Sequence, residues 1–178
     1  MPTSHPRAMI GQARKVKVIF NPWEKIATAA QAGAKARKVQ ASGGKVVFTN
    51  GCFDLLHVGH VRCLGQAREL GDWLIVGVNS DESVRSLNKG PERPLVPQEQ
   101  RAEVLAALAA VDMVVIFNEP TPAELIARIQ PDVLVKGGDW PPEKIVGAKV
   151  VLARGGRVLS IPLVEGVSTT ELARRLKS

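Results

Sequence analysis

The sequence predicts an α/β fold in which five parallel strands form a doubly wound sheet covered by helices on both faces. Short apolar runs alternate with stretches of helical spacing along most of the 178 residues. Strands buried on both faces read as unbroken Val/Ile/Leu runs, the form they take here. Polar, glycine-bearing segments follow several of these runs, at the carboxyl ends where open sheets of this kind hold ligands.

Residues 1–16 read as a flexible leader, and residues 17–44 as a basic, Ala-rich arm. The arm carries a helix from Glu24 to Gln40, with Ile26, Ala29, Ala30, Gly33, Ala34 and Val39 at helical spacing and Ser42-Gly43-Gly44 as its stop. Residues 45–178 form the main domain. Its first strand, Val46–Thr49, precedes a helix from Val58 to Leu70, on which Val61, Leu64, Ala67 and Leu70 share one side. A second strand, Trp73–Asn79, leads to a short helix beginning at Ser80-Asp81, a polar loop from Asn88 to Pro97, and a helix from Gln98 to Ala110. After the third strand, Met113–Phe117, Thr121-Pro122-Ala123-Glu124 has the pattern of a helix start, with Thr121 as cap and Pro122 in the first turn. That helix stops at Pro131. The fourth strand, Asp132–Lys136, runs into Gly137-Gly138-Asp139. A helical stretch ending at Gly155-Gly156 precedes the fifth strand, Arg157–Ile161, and a last helix follows Ser168-Thr169-Thr170. The order is Rossmann-like.

The net charge of +7 is local: residues 1–45 hold nine Lys/Arg and the single acid Glu24, while the rest balances fifteen Lys/Arg against sixteen acids. A solvated helix face accounts for the basic arm, and no nucleic-acid partner is expected. Four Phe and no Tyr are poor material for a base-stacking platform. No apolar run reaches membrane-spanning length and no signal peptide is evident, so a cytoplasmic location is expected. Cys52 and Cys63 read as free thiols of a reducing compartment.

The most informative stretch is Thr49 to His60, TNGCFDLLHVGH. A strand, a glycine turn and a helix start carrying two imidazoles suit phosphate binding, because free backbone N–H groups and the helix dipole favour an anion. Gly51 and Gly59 are expected to permit a sharp turn and close approach of a ligand. His57 and His60 are three residues apart and share a helical face. No zinc site is expected, since no further His lies in the main domain and no Cys pair completes one. Lys136-Gly137-Gly138-Asp139 is a tight turn or a substrate contact, and Ser168-Thr169-Thr170 a cap that also offers donors to phosphate. Lys89 and Arg93 lie in a loop with the Pro/Gly content of a lid. Trp140 is read as packing or a pocket wall.

These motifs resemble those of the His-x-Gly-His nucleotidyltransferases, in their cytidylyltransferase-like branch. Within it, Gly77 to Val84 with Lys89 and Arg93-Pro94-Leu95, and Asp132 to Asp139, resemble the heptose 1-phosphate adenylyltransferases that make ADP-heptose for lipopolysaccharide. The resemblance spans residues 24–178. It implies that His57, His60 and Lys89 act on the nucleotide phosphates, and that Ser168, Thr169 and Thr170 contact the β- and γ-phosphates. Asn50, Gly51, Cys52, Phe53, Gly59 and Gly138 would complete the nucleotide site. Asp54, Asn79, Arg93, Arg101, Lys136 and Asp139 would bind the sugar phosphate or organise its pocket. It further implies ATP with Mg²⁺, a sugar 1-phosphate and a homo-oligomer. A glycerol 3-phosphate cytidylyltransferase is the nearest alternative.

Overall fold

A computed structural model describes residues 21–88, 90, 92–162, 164, 166 and 168–177 of the chain. Five strands, β1 (Val46–Gly51), β2 (Trp73–Asn79), β3 (Met113–Phe117), β4 (Val133–Gly137) and β5 (Arg157–Ile161), form one sheet in the order β3-β2-β1-β4-β5. All pairings are parallel. The helices are α1 (Ala29–Ala41), α2 (Val58–Arg68), α3 (Asp81–Ser86), α4 (Gln98–Ala106), α5 (Ala123–Ile129), α6 (Ala148–Ala153) and α7 (Thr169–Lys177).

Side chains alternate across the sheet with the period of two that strands impose. On one face Phe48, Ile75, Val115 and Leu134 pack with Ala32 and Ala36 of α1, Ile126 and Ile129 of α5, and Val151 of α6. On the other, Val47, Val76, Val78 and Val135 meet Leu64 and Ala67 of α2 and Ala102, Leu105 and Ala106 of α4.

Three carboxylates fix the strands at their amino ends. Asp72, Asp112 and Asp132 each precede a strand and accept a hydrogen bond from a neighbouring backbone N–H: Lys45 at 2.7 Å, Leu74 at 2.8 Å and Val46 at 2.8 Å. Each pins one strand start to the next, and a one-residue slip would break the bond as well as turn core side chains outward.

Three expectations are corrected. The helix predicted from Glu24 to Gln40 is two pieces, a 3-10 turn at Pro22–Lys25 and α1, because Thr28 caps α1 through a reciprocal box with Gln31. Residues of the basic arm are also core: Ala32 and Ala36 are fully buried and Ile26 bridges Val114 beside the edge strand. Thr121 does not cap α5; Pro122 holds the cap position and no side chain bonds the first turn.

Candidate active site

From β1 the chain proceeds outward through β2 to β3, then returns to the other side of β1 with β4. The crevice beyond the carboxyl ends of β1 and β4 is therefore the switch point of the sheet. A two-lobed cleft occupies it. One lobe, of about 460 Å³, is lined by His57, Gly59, His60, Cys63, Ser168 and Thr169, among others. The other, of about 350 Å³, is lined by Asn79, Leu87, Thr121, Pro122, Lys144 and Ile145, among others. Asn50, Gly51, Cys52, Lys136 and Trp140 face both. A third recess of about 380 Å³ lies beyond His60, against Phe53, Asp54, Arg93 and Thr169.

The two imidazoles stack with centroids 3.9 Å apart. His57 is the N-cap of α2, extended in backbone, and its Nδ1 accepts from the Gly59 N–H at 3.1 Å. That bond places the proton of the neutral ring on Nε2, leaving Nε2–H as a donor. His60 lies between His57 and the Phe53 ring, whose centroid is 5.2 Å away at an edge-on angle. Burial, and then the neighbouring His57, push the His60 pKa down to about 4; burial also lowers that of His57. Both rings are thus neutral near pH 7 before an anion arrives. Lys136 is the cation common to both lobes. Burial raises the Cys63 pKa despite Lys136 nearby, which favours its neutral thiol.

The structure corrects two reasons given for this motif. The Gly59 N–H is taken by the His57 ring and the His60 N–H by the His57 carbonyl at 2.9 Å, so these main-chain donors of the helix start are already used. Nor do Gly51 and Gly59 make the sharp turn: Phe53, with φ 48°, is the left-handed residue. The glycines instead leave room for the rings beside them. A Cβ on Gly51 would lie 3.1 Å from the Phe53 ring, and one on Gly59 would lie 2.9 Å from the His57 ring.

Asp54 and Arg101 organise the cleft. Buried Asp54 pairs with Arg93 Nη1 at 2.6 Å and accepts from the Leu95 and Val96 amides at 2.8 and 2.9 Å. Burial alone would raise its pKa, but the Arg93 hydrogen bond and those two amides outweigh it and hold the carboxyl below its ordinary value. Arg101, 2% exposed, donates to the Cys52 carbonyl, to the Val96 carbonyl at 2.9 Å and to Asp81 at 2.7 Å. It joins the motif turn, the 88–97 loop and α3 from within the core.

Asn50, Gly51, Cys52, Phe53, Gly59, Lys136, Ser168 and Thr169 line the cleft where the sequence placed them, and Asn79 lines the second lobe. Ser168 Oγ also accepts from the Glu171 N–H at 3.1 Å as a helix cap. Gly138 and Asp139 do not line either lobe; Gly137 does, and Gly138 turns the chain with φ 110° where a Cβ would touch Trp140. Lys89 and the side chain of Thr170 lie outside the described residues. Trp140, read from sequence as packing or a wall, is a half-exposed wall shared by both lobes. Lys144 carried no motif signal. Among the described residues no group of three or more His, Cys, Asp or Glu is placed to hold a metal ion, and no helix is long and apolar enough to cross a membrane.

A cytidylyltransferase-like family model matches residues 48–175. The bifunctional protein HldE of Syntrophotalea carbinolica is 58% identical over 134 residues, covering 75% of this chain and 27% of that protein. HldE of Vibrio cholerae is 57% identical over 141 residues, 79% of this chain and 29% of that protein. HldE of Magnetococcus marinus is 52% identical over 155 residues, 87% and 32% respectively. The chain thus spans roughly three tenths of the length of these curated relatives. A crystal structure of a lipopolysaccharide core biosynthesis protein from Thermoplasma volcanium superposes with TM-score 0.56 at 26% identity, covering 68% of this chain and 98% of that one. Pantothenate synthetase from Thermus thermophilus, 17% identical with TM-score 0.56 over 86% of this chain and 70% of its own, shares the fold. With paired histidines at a sheet switch point and a family match across the whole cleft, the chain belongs to the cytidylyltransferase-like family.

Proposed function

We propose that the protein transfers AMP from ATP to D-glycero-β-D-manno-heptose 1-phosphate, giving ADP-heptose and pyrophosphate. The observation that carries this reading is the pair of adjoining lobes sharing Lys136, with two stacked imidazoles in one and an asparagine-lined pocket in the other. The acceptor is chosen on two grounds: segments 77–84 and 132–139 resemble the heptose 1-phosphate enzymes, and the relatives include HldE proteins and a lipopolysaccharide core biosynthesis protein.

ATP, with its Mg²⁺ held mainly by phosphates and water, occupies the histidine lobe. The heptose 1-phosphate occupies the other. A phosphate oxygen of the sugar attacks the α-phosphorus, a new P–O bond forms, and the bond to the β-phosphate oxygen breaks with pyrophosphate as leaving group. The attacking oxygen is already anionic, so no general base is needed. Catalysis rests on bringing two anions together and balancing their charge. His57 Nε2–H and His60 bind the triphosphate, Lys136 lies between donor and acceptor, and Ser168 and Thr169 hold the outer phosphates. Lys89 is the further cation that the resemblance assigns to the phosphates. Asp54 and Arg101 keep the motif turn and the loop in place rather than touching substrate.

Pyrophosphate release, measured with ATP or CTP against heptose 1-phosphate or glycerol 3-phosphate, tests the reading. Fastest turnover is expected for ATP with heptose 1-phosphate; preference for CTP with glycerol 3-phosphate would overturn it. In the same assay His57→Ala should lower kcat about 10²–10³-fold, the cost of one preorganised donor, with the circular dichroism unchanged.

A further inference from the structure

Asn79 closes β2, is 4% exposed, and faces the second lobe. Its amide Nδ2 lies 2.9 Å from the hydroxyl of Ser83, which is 1% exposed. The same hydroxyl lies 2.9 Å from the backbone carbonyl of Glu119. A carbonyl can only accept, so the one hydroxyl proton of Ser83 is committed to Glu119. The Ser83 oxygen must then accept from Asn79, and only the NH₂ end of that amide can donate. The amide is therefore fixed in one orientation: one Nδ2–H is held by Ser83, and Oδ1, which bonds nothing among the described residues, is the acceptor left for the lobe. A carbonyl oxygen presented to a ligand selects a hydrogen-bond donor and rejects an acceptor.

Resting on the proposed sugar-phosphate reading of this lobe, we propose that Asn79 is a specificity-determining residue whose Oδ1 accepts from a hydroxyl of the acceptor sugar. Ser83 is the positioning residue that sets its orientation. The chain from the Glu119 carbonyl through Ser83 to Asn79 ties the β3–α5 connection, α3 and the end of β2 to one recognition event. An analogue that cannot donate at the recognised position leaves Oδ1 without a partner, which is the more costly direction of mismatch.

The test uses the full chain and a panel of acceptors, each with one ring hydroxyl replaced by hydrogen or by fluorine, which does not donate. With the wild type, one position is expected where both replacements lower kcat/KM about tenfold or more, the fluoro compound no better than the deoxy one. In Ser83→Ala the KM for the parent acceptor should rise about tenfold while the KM for ATP stays constant, and the penalty at that position should shrink. A fluoro analogue that restores the rate lost by its deoxy counterpart would mean that the NH₂ faces the sugar, and would overturn the proposal. So would a Ser83→Ala enzyme that loses activity equally toward every acceptor. Should Ser83→Ala fail to fold, the deoxy-against-fluoro comparison in the wild type decides alone. Absence of wild-type turnover with any sugar 1-phosphate would instead refute the underlying functional reading.

Discussion

His60 is the residue where structure and charge are most tightly joined. Its Nδ1 is buried without a hydrogen-bond partner among the described residues, and its pKa is depressed to about 4. An unfolded chain takes up this proton near pH 6.5, the folded one only near 4, so the unfolded state binds more protons between those values. Stability contributed by the neutral ring is present above pH 6.5 and is lost progressively as pH falls to about 4, with no further loss below. The melting temperature of the unliganded wild type should therefore drop more steeply over this window than that of His60→Asn; parallel profiles would contradict the assignment. Binding a polyanion favours the protonated ring, so ATP titrated calorimetrically near pH 6 in buffers of different ionisation enthalpy should show proton uptake, and His60→Asn should show less. The histidines themselves were legible in sequence because their spacing puts both on one side of a helix start. The neutrality of His60 was not, since it arises from Phe53 and His57 closing over the ring.

Among the elements, the segment 92–97 is held by two buried side chains, Asp54 and, through the Val96 carbonyl, Arg101. Asp54 binds Arg93, the Leu95 amide and the Val96 amide together. Asp54→Ala leaves a partly buried arginine and two amides without their acceptor, a loss of about 3 kcal/mol. Faster proteolytic cutting within the loop is expected, along with reduced turnover; unchanged cutting would show that the loop is held by other contacts. The five strands were readable as apolar runs because a strand buried on both faces has no polar side to confuse the pattern. Helix starts were harder. Thr28 makes its box with Gln31 although the apolar spacing runs on through it, while Thr121 has the cap sequence and lets Pro122 take the position. Asp54 and Arg101 sit in motifs that point equally to ligand contact or to support. Only their completed hydrogen bonds, with partners thirty-nine residues away for Asp54 and forty-nine for Arg101, show the supporting contacts that both make.

At the scale of the molecule, charge and packing divide the chain differently. The basic N-terminal segment ends inside the core, where Ala32 and Ala36 of α1 are fully buried. Removal of residues 1–16 should leave kcat within about twofold, because the residues lining the cleft begin at Thr49. Removal of residues 1–44 should abolish cooperative unfolding by stripping one face of the sheet. A shortened chain lacking α1 that melts like the wild type would refute this. Chemistry and register occupy opposite rims: Lys136 and Asn79 at the carboxyl ends of their strands and the histidines just beyond β1, with Asp72, Asp112 and Asp132 holding the amino ends. Connections above the crevice can therefore be exchanged or lengthened without loosening the pairing below, which makes this scaffold a ready host for pockets of other shapes.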